Sequence, residues 1–120
     1  MLVDTNIIIY AAKPQYPALQ DLLEKHELLV ASISYVEALG FVRIEPEERA
    51  KLEAFFRKSK LLRLTKPVLR QAALLRQTRR MRLGDSIIAA TALVHGQTLV
   101  TRNVADFRWI SGLGLMNPVT

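Results

Sequence analysis

The chain of 120 residues contains no cysteine. That excludes a disulfide framework and every thiolate metal site, and it suits a reducing compartment. Long apolar runs are missing too; none approaches the ~18 residues of a membrane span. Met1-Leu2-Val3-Asp4 lacks the basic start of a signal peptide. A soluble, cytoplasmic protein with no membrane partner is expected. There is no GxxxxGK[ST] and no GxGxxG, which excludes a P-loop and argues against a dinucleotide site. No Ser-His-Asp or Cys-His spacing suggests covalent catalysis.

Acid is scarce in one half. Residues 1–60 carry eight Lys and Arg against nine Asp and Glu, whereas residues 61–120 carry nine against two. Those two acids are Asp85 and Asp106. A basic half suits a polyanion such as nucleic acid, although a merely solvated basic surface would look the same. The length indicates one domain, over residues 1–120, and the hydrophobic half of the composition suits a buried sheet.

Short apolar runs alternate with segments of helical period. Strands are predicted at Met1–Val3, Leu28–Ala31, Leu61–Leu64 and Thr98–Val100, with a last edge strand at Leu113–Met116. Helices are predicted from Ile7 and over Ala18–His26, Tyr35–Val42, Pro46–Ser59, Pro67–Arg79 and Ser86–His95. Ser34 and Glu37 have capping-box spacing, Thr65 is a helix cap, and Gly96 ends a helix. Arg79 to Gly84 reads as a loop with Gly84 as its turn residue, and Thr101 to Phe107 as a polar loop. The alternation predicts an α/β fold with a mostly parallel sheet of four or five strands.

Four acids fall after predicted strands or at helix starts: Asp4, Glu37, Asp85 and Asp106. Each alone has a plain explanation. Asp4 could form a turn or cap a helix, Glu37 could complete the capping box, Asp85 could be an N-cap and Asp106 a turn residue. In a parallel sheet, however, these positions share the carboxyl edge, where open α/β sheets bind ligands. At ~4 Å and an effective dielectric of ~20, each like-charge pair there costs about 4 kcal/mol. A hard cation relieves that cost, and Mg²⁺ or Mn²⁺ prefers carboxylate oxygen. Such an ion suits phosphoryl chemistry, because it can activate a water and neutralise charge on the scissile phosphate.

Arg76, Arg79, Arg80 and Arg82 immediately precede Asp85, and Arg102 and Arg108 flank Asp106. Arg79, Arg80, Arg82 and Arg102 are candidates to hold a phosphate backbone; a solvated helix end would also favour the first group. Tyr10, Tyr16 and Tyr35 could stack on bases, but core packing accounts for them more simply.

Four segments together resemble a known family: Val3-Asp4-Thr5-Asn6, Ser34-x-x-Glu37-Ala38-Leu39-Gly40, Asp85-Ser86-Ile87-Ile88-Ala89-Ala90-Thr91-Ala92 and Val100-Thr101-Arg102-Asn103-x-x-Asp106-Phe107. They resemble the PIN-domain nucleases, especially the VapC-type toxins of toxin–antitoxin pairs. The tail Gly112-Leu113-Gly114-Leu115-Met116-Asn117-Pro118 is similar too. The resemblance implies a three-layer α/β/α sandwich and Mg²⁺- or Mn²⁺-dependent cleavage of RNA. It implies that Asp4, Glu37, Asp85 and the more variable Asp106 are catalytic and hold the metal. Asn6, Thr101 and Asn103 match supporting polar positions. Homodimers and a cognate antitoxin that fills the active-site groove are implied as well.

Two other functions fit parts of the pattern. A phosphatase with an aspartyl nucleophile also places Asp after a strand, but it usually has a second Asp two residues on, where this chain has Asn6. It also needs a distant Lys, and Lys66 is the only one in the second half. A non-catalytic RNA-binding or scaffold module would share the fold without the reaction.

Overall fold

The first strand forms where the chain is apolar without interruption. In β1 (Leu2–Val3) both side chains are fully buried. The computed structural model describes residues 1–118. After β1 come α1 (Thr5–Ala11), α2 (Pro17–Glu24), β2 (Leu29–Ala31), α3 (Ser32–Leu39), α4 (Pro46–Lys58) and β3 (Lys60–Leu62). Then follow α5 (Lys66–Thr78), α6 (Leu83–Val94), β4 (Leu99–Val100), α7 (Val104–Phe107) and β5 (Leu115–Met116).

The five strands form one sheet in the order β3-β2-β1-β4-β5, and every pairing is parallel. Leu2 registers with Leu29 on one side and Leu99 on the other, and Val3 with Val100. From β1 the chain winds outward to β3, then returns to lay β4 on the opposite flank. The gap between the carboxyl ends of β1 and β4 is therefore the point where strand order reverses, the usual ligand crevice of such sheets.

Side chains alternate across the sheet and make two cores. Leu2, Ala31 and Leu99 face a core shared with Val68, Ala72 and Leu75 of α5 and with Ile87 to Ala90 of α6. Val3, Val30 and Val100 face the other, with Ile7 and Ile8 of α1, Leu19 and Leu23 of α2, and Leu52 and Phe56 of α4. Helices thus cover both faces, giving the expected three-layer α/β/α sandwich. Residues 119 and 120 of the expected domain lie outside the described residues.

Several boundaries differ from expectation. α3 starts at Ser32 with Ala31 as its N-cap residue, so Ser34 lies inside the helix and is no capping-box partner of Glu37. It ends at Leu39, earlier than Val42. α6 begins at Leu83, three residues before the predicted Ser86, and Arg82 occupies the N-cap position. Asp85 is therefore in the first turn and not the N-cap, and Gly84 is helical. The polar stretch after β4 contains a short helix, α7, where a loop is predicted. Thr65 does cap α5, its hydroxyl accepting from the Val68 N–H at 3.5 Å. Gly96, with φ of 61°, follows the end of α6 in the left-handed conformation that favours glycine.

Candidate active site

Asp4 is the first residue beyond β1 and is 4% exposed. It occupies the N-cap position of α1 but its side chain makes no capping bond. Instead Oδ2 accepts a hydrogen bond of 2.8 Å from Thr101 Oγ1, which stands one residue beyond β4. This bond crosses the switch point between the two central strands. Thr101 is itself fully buried, and its Oγ1 also accepts the Asn103 N–H at 3.1 Å.

Glu37 comes from the middle of α3. Its Oε1 accepts a 2.6 Å hydrogen bond from Thr5 Oγ1, and Thr5 Oγ1 also lies 2.8 Å from the buried Ser34 Oγ. The other oxygen, Oε2, occupies the space that a Cβ at residue 84 would take. Glycine at that position lets the Glu37 carboxylate rest against the first turn of α6. Asp85 is in the same turn, where the positive end of the helix dipole favours an anion. Asp106 comes from α7 and is exposed.

Electrostatics tie the four acids together. Burial is the main reason the Asp4 carboxyl is pushed up from 3.8 to about 6. The Asp85 and Glu37 charges push in the same direction, while the Thr101 hydroxyl and the Thr5 N–H oppose them. Asp85 is raised as well, first by burial; Arg82 pulls against that shift, and Glu37 and Asp106 reinforce it. Asp4 and Asp85 are thus the two acids held toward the neutral form, with Glu37 acting on both and Asp106 on Asp85.

The chemistry of these donors fits a hard divalent ion. Carboxylates, hydroxyls and amides are present, and neither histidine is part of the set. Among the described residues, no three His, Cys, Asp or Glu side chains are grouped as a ready-made metal cage. The acids lie near one another without closing into a full coordination shell.

A cavity of ≈ 620 Å³ opens over this edge, lined by Asp85, Asp106, Asn6, Asn103 and the arginines 79, 80 and 82. Three of the four candidate arginines thus share a concave surface with two of the acids. Arg102 is placed differently, with its guanidinium 4.9 Å from the centre of the Tyr10 ring. Arg76 donates to the Met81 carbonyl at 3.3 Å and closes the α5–α6 connection. Tyr10 and Tyr16 pack against the α1–α2 core, as expected of core residues, whereas Tyr35 is exposed and meets only the edge of the core at Phe56.

A PIN domain family model matches residues 1–111. The chain belongs to the PIN domain family. Solved structures agree with this assignment. A VapBC-1 complex from nontypeable Haemophilus influenzae is 26% identical, with a TM-score of 0.78, covering 99% of this chain and 98% of that one. A toxin–antitoxin complex from Klebsiella pneumoniae is 25% identical, with a TM-score of 0.79, covering 98% and 96%. VapBC2 from Rickettsia felis, bound to a promoter DNA fragment, is 23% identical with a TM-score of 0.84, covering 97% and 96%; it attests the fold. No protein of curated function matches the chain. This PIN domain therefore resembles the VapC-type toxins, as the motifs indicate. No helix among its described residues is long and apolar enough to cross a membrane.

Sequence reasoning missed Thr5, Gly84 and Trp109. Thr5 sits in the motif beside Asp4, yet nothing local indicates that its hydroxyl serves an acid 32 residues away. A glycine directly before an acid is the only local trace of the Gly84 contact. Trp109 lines the cavity, and its one sequence signal is that it is the sole tryptophan.

Proposed function

We propose that this chain is a Mg²⁺- or Mn²⁺-dependent endoribonuclease acting as the toxin of a toxin–antitoxin pair. We read residues 1–120 as a single PIN-like domain. The observation that carries the proposal is the meeting, at the switch point of a PIN fold, of Asp4 held by Thr101 with Glu37 held by Thr5 and resting against the α6 turn that bears Asp85. Asp4, Glu37, Asp85 and Asp106 are assigned to hold the ion. When bound, the ion supplies a Lewis acid that acidifies water and neutralises charge on the scissile phosphate.

The chain's own residues do the rest. Thr101 fixes one oxygen of Asp4 and Thr5 fixes one of Glu37, so neither carboxylate has to be ordered when RNA arrives. Asn6 and Asn103 present amides at the cavity wall, able to orient water or a ribose hydroxyl. Arg79, Arg80 and Arg82 offer the cations that hold the RNA backbone, and Arg102 is assigned to its approach.

The partners proposed are a cognate antitoxin and a second copy of the chain, in the cytoplasm. The toxin–antitoxin complexes among the structural relatives support the first. Exposed apolar side chains at Val36, Phe41 and Val42 leave a surface suited to protein contact. The reading is tested by incubating the purified chain with RNA in Mg²⁺ or Mn²⁺. Cleavage that stops with a chelator, and in Asp85→Asn, supports it. Binding without cleavage would leave a non-catalytic RNA-binding module, and a covalent phosphate on Asp4 would point to the phosphatase alternative.

A further inference from the structure

Trp109 is the only tryptophan in the chain. It follows α7 by two residues and is partly buried against the core that α5 and α6 share. Its indole Nε1–H donates to the Asp106 carbonyl at 2.9 Å, which fixes the ring beside that acid. The Arg79 guanidinium carbon stands 5.5 Å from the ring centre. Trp109 and Arg79 line the same ≈ 620 Å³ cavity as Asp85 and Asp106.

Core filling does not account for this arrangement. A ring used only as filler would be covered by apolar atoms, whereas this one carries a cation from an exposed residue. That cover is weak, because water competes for an exposed cation–π contact. A nucleobase stacked on an aromatic ring is held more strongly than that. A guanidinium released from the ring gains a charge-assisted bond to phosphate. A nucleotide strand entering the cavity brings both a base and a phosphate, so the exchange runs downhill.

We propose that Trp109 seats one nucleobase of single-stranded RNA beside the scissile phosphodiester. The base stacks on the indole, and Arg79 moves from the ring to the adjoining phosphate. The strand must be single because the faces of paired bases are occupied by their neighbours in the duplex. This inference rests on the ribonuclease reading.

The sole tryptophan is its own probe. The full chain, in a chelator so that nothing is cut, is titrated with a labelled single-stranded oligoribonucleotide. Binding is followed by anisotropy of the label and stacking by Trp109 emission. Quenching that saturates along the anisotropy curve is expected, with affinity about tenfold weaker in Trp109→Ala. Trp109→Phe, which keeps a ring in place, should retain most of the affinity and guards against misfolding of the alanine variant. RNA bound with unchanged Trp109 emission overturns the stack and leaves the ribonuclease reading standing. A Trp109→Ala chain that binds as tightly as the parent does the same. No RNA binding at any concentration overturns both.

Discussion

Two concave regions of similar size lie on this molecule and are built on opposite terms. The cavity over the carboxyl edge, ≈ 620 Å³, is lined by arginines and acids. The groove between α1, α2 and α4, ≈ 500 Å³, is lined by Ile8, Leu23, Leu28, Leu52 and Phe55, with charges such as Lys51 and Glu24 around them. Apolar contacts at the groove favour the folded chain. At the edge, burial makes the ionised Asp4 costly, and its neighbours make it worse. One region stabilises the fold, and the other is stabilised only when something positive arrives. Substitutions should therefore have opposite effects in the two places.

The largest effect is on cleavage. Asp4→Asn and Asp85→Asn each remove a carboxylate from the proposed ion site. Loss of several kcal/mol of transition-state stabilisation corresponds to a fall on the order of a thousandfold or more in kcat/KM for RNA, measured with a labelled substrate in Mn²⁺. Circular dichroism should show the fold unchanged. Next in size is Leu52→Ala, which opens a hole under the apolar groove at a fully buried position. Denaturant unfolding should show a loss of about 2–5 kcal/mol.

Asp4→Asn should do the reverse and stabilise the ion-free chain. The Asp4 carboxyl is raised on folding from 3.8 to about 6. Between those values the folded state holds the extra proton, so stability falls as pH rises through the window and the loss is complete above it. A shift of that size corresponds to about 3 kcal/mol, from which some of the Thr101 hydrogen bond must be subtracted. A gain of roughly 2 kcal/mol is expected at pH near 7.5, shrinking to nothing below about pH 4. Unfolding curves for the two chains at several pH values check both sign and window. A destabilised Asn variant at neutral pH would break the contrast between the two regions.

The smallest effect sharpens it. Gly84→Ala should gain up to ~1 kcal/mol of helix propensity but push aside the Glu37 carboxylate that occupies the space. Cleavage should fall about tenfold, the lower end for disturbing the support of a metal ligand, with Tm nearly unchanged.

The sheet was legible because its strands are unbroken apolar runs between helical segments, and Leu2-Val3 and Leu99-Val100 announce themselves. The nearness of Asp4 and Asp85 follows from topology, since both end up at one edge of a parallel sheet. Other features depend on contacts that local pattern does not carry. Ser34 and Glu37 have the spacing of a capping box, yet α3 begins earlier and both side chains turn to Thr5. Gly84 reads as a turn in the sequence, yet it lies in the first turn of α6, where the Glu37 carboxylate occupies the space of a side chain. α7 is four residues long, too short for helical period to register. The Arg79–Trp109 pair joins residues 30 apart through nothing but packing.

Whether these carboxylates serve a hard cation is decided by calorimetric titration of Mn²⁺ into the RNA-free chain. Saturable binding is expected near pH 7.5, lost in Asp4→Asn and in Asp85→Asn and weaker below about pH 6, where Asp4 takes up its proton. Undiminished Mn²⁺ binding in both variants, or none in the parent chain, would contradict it.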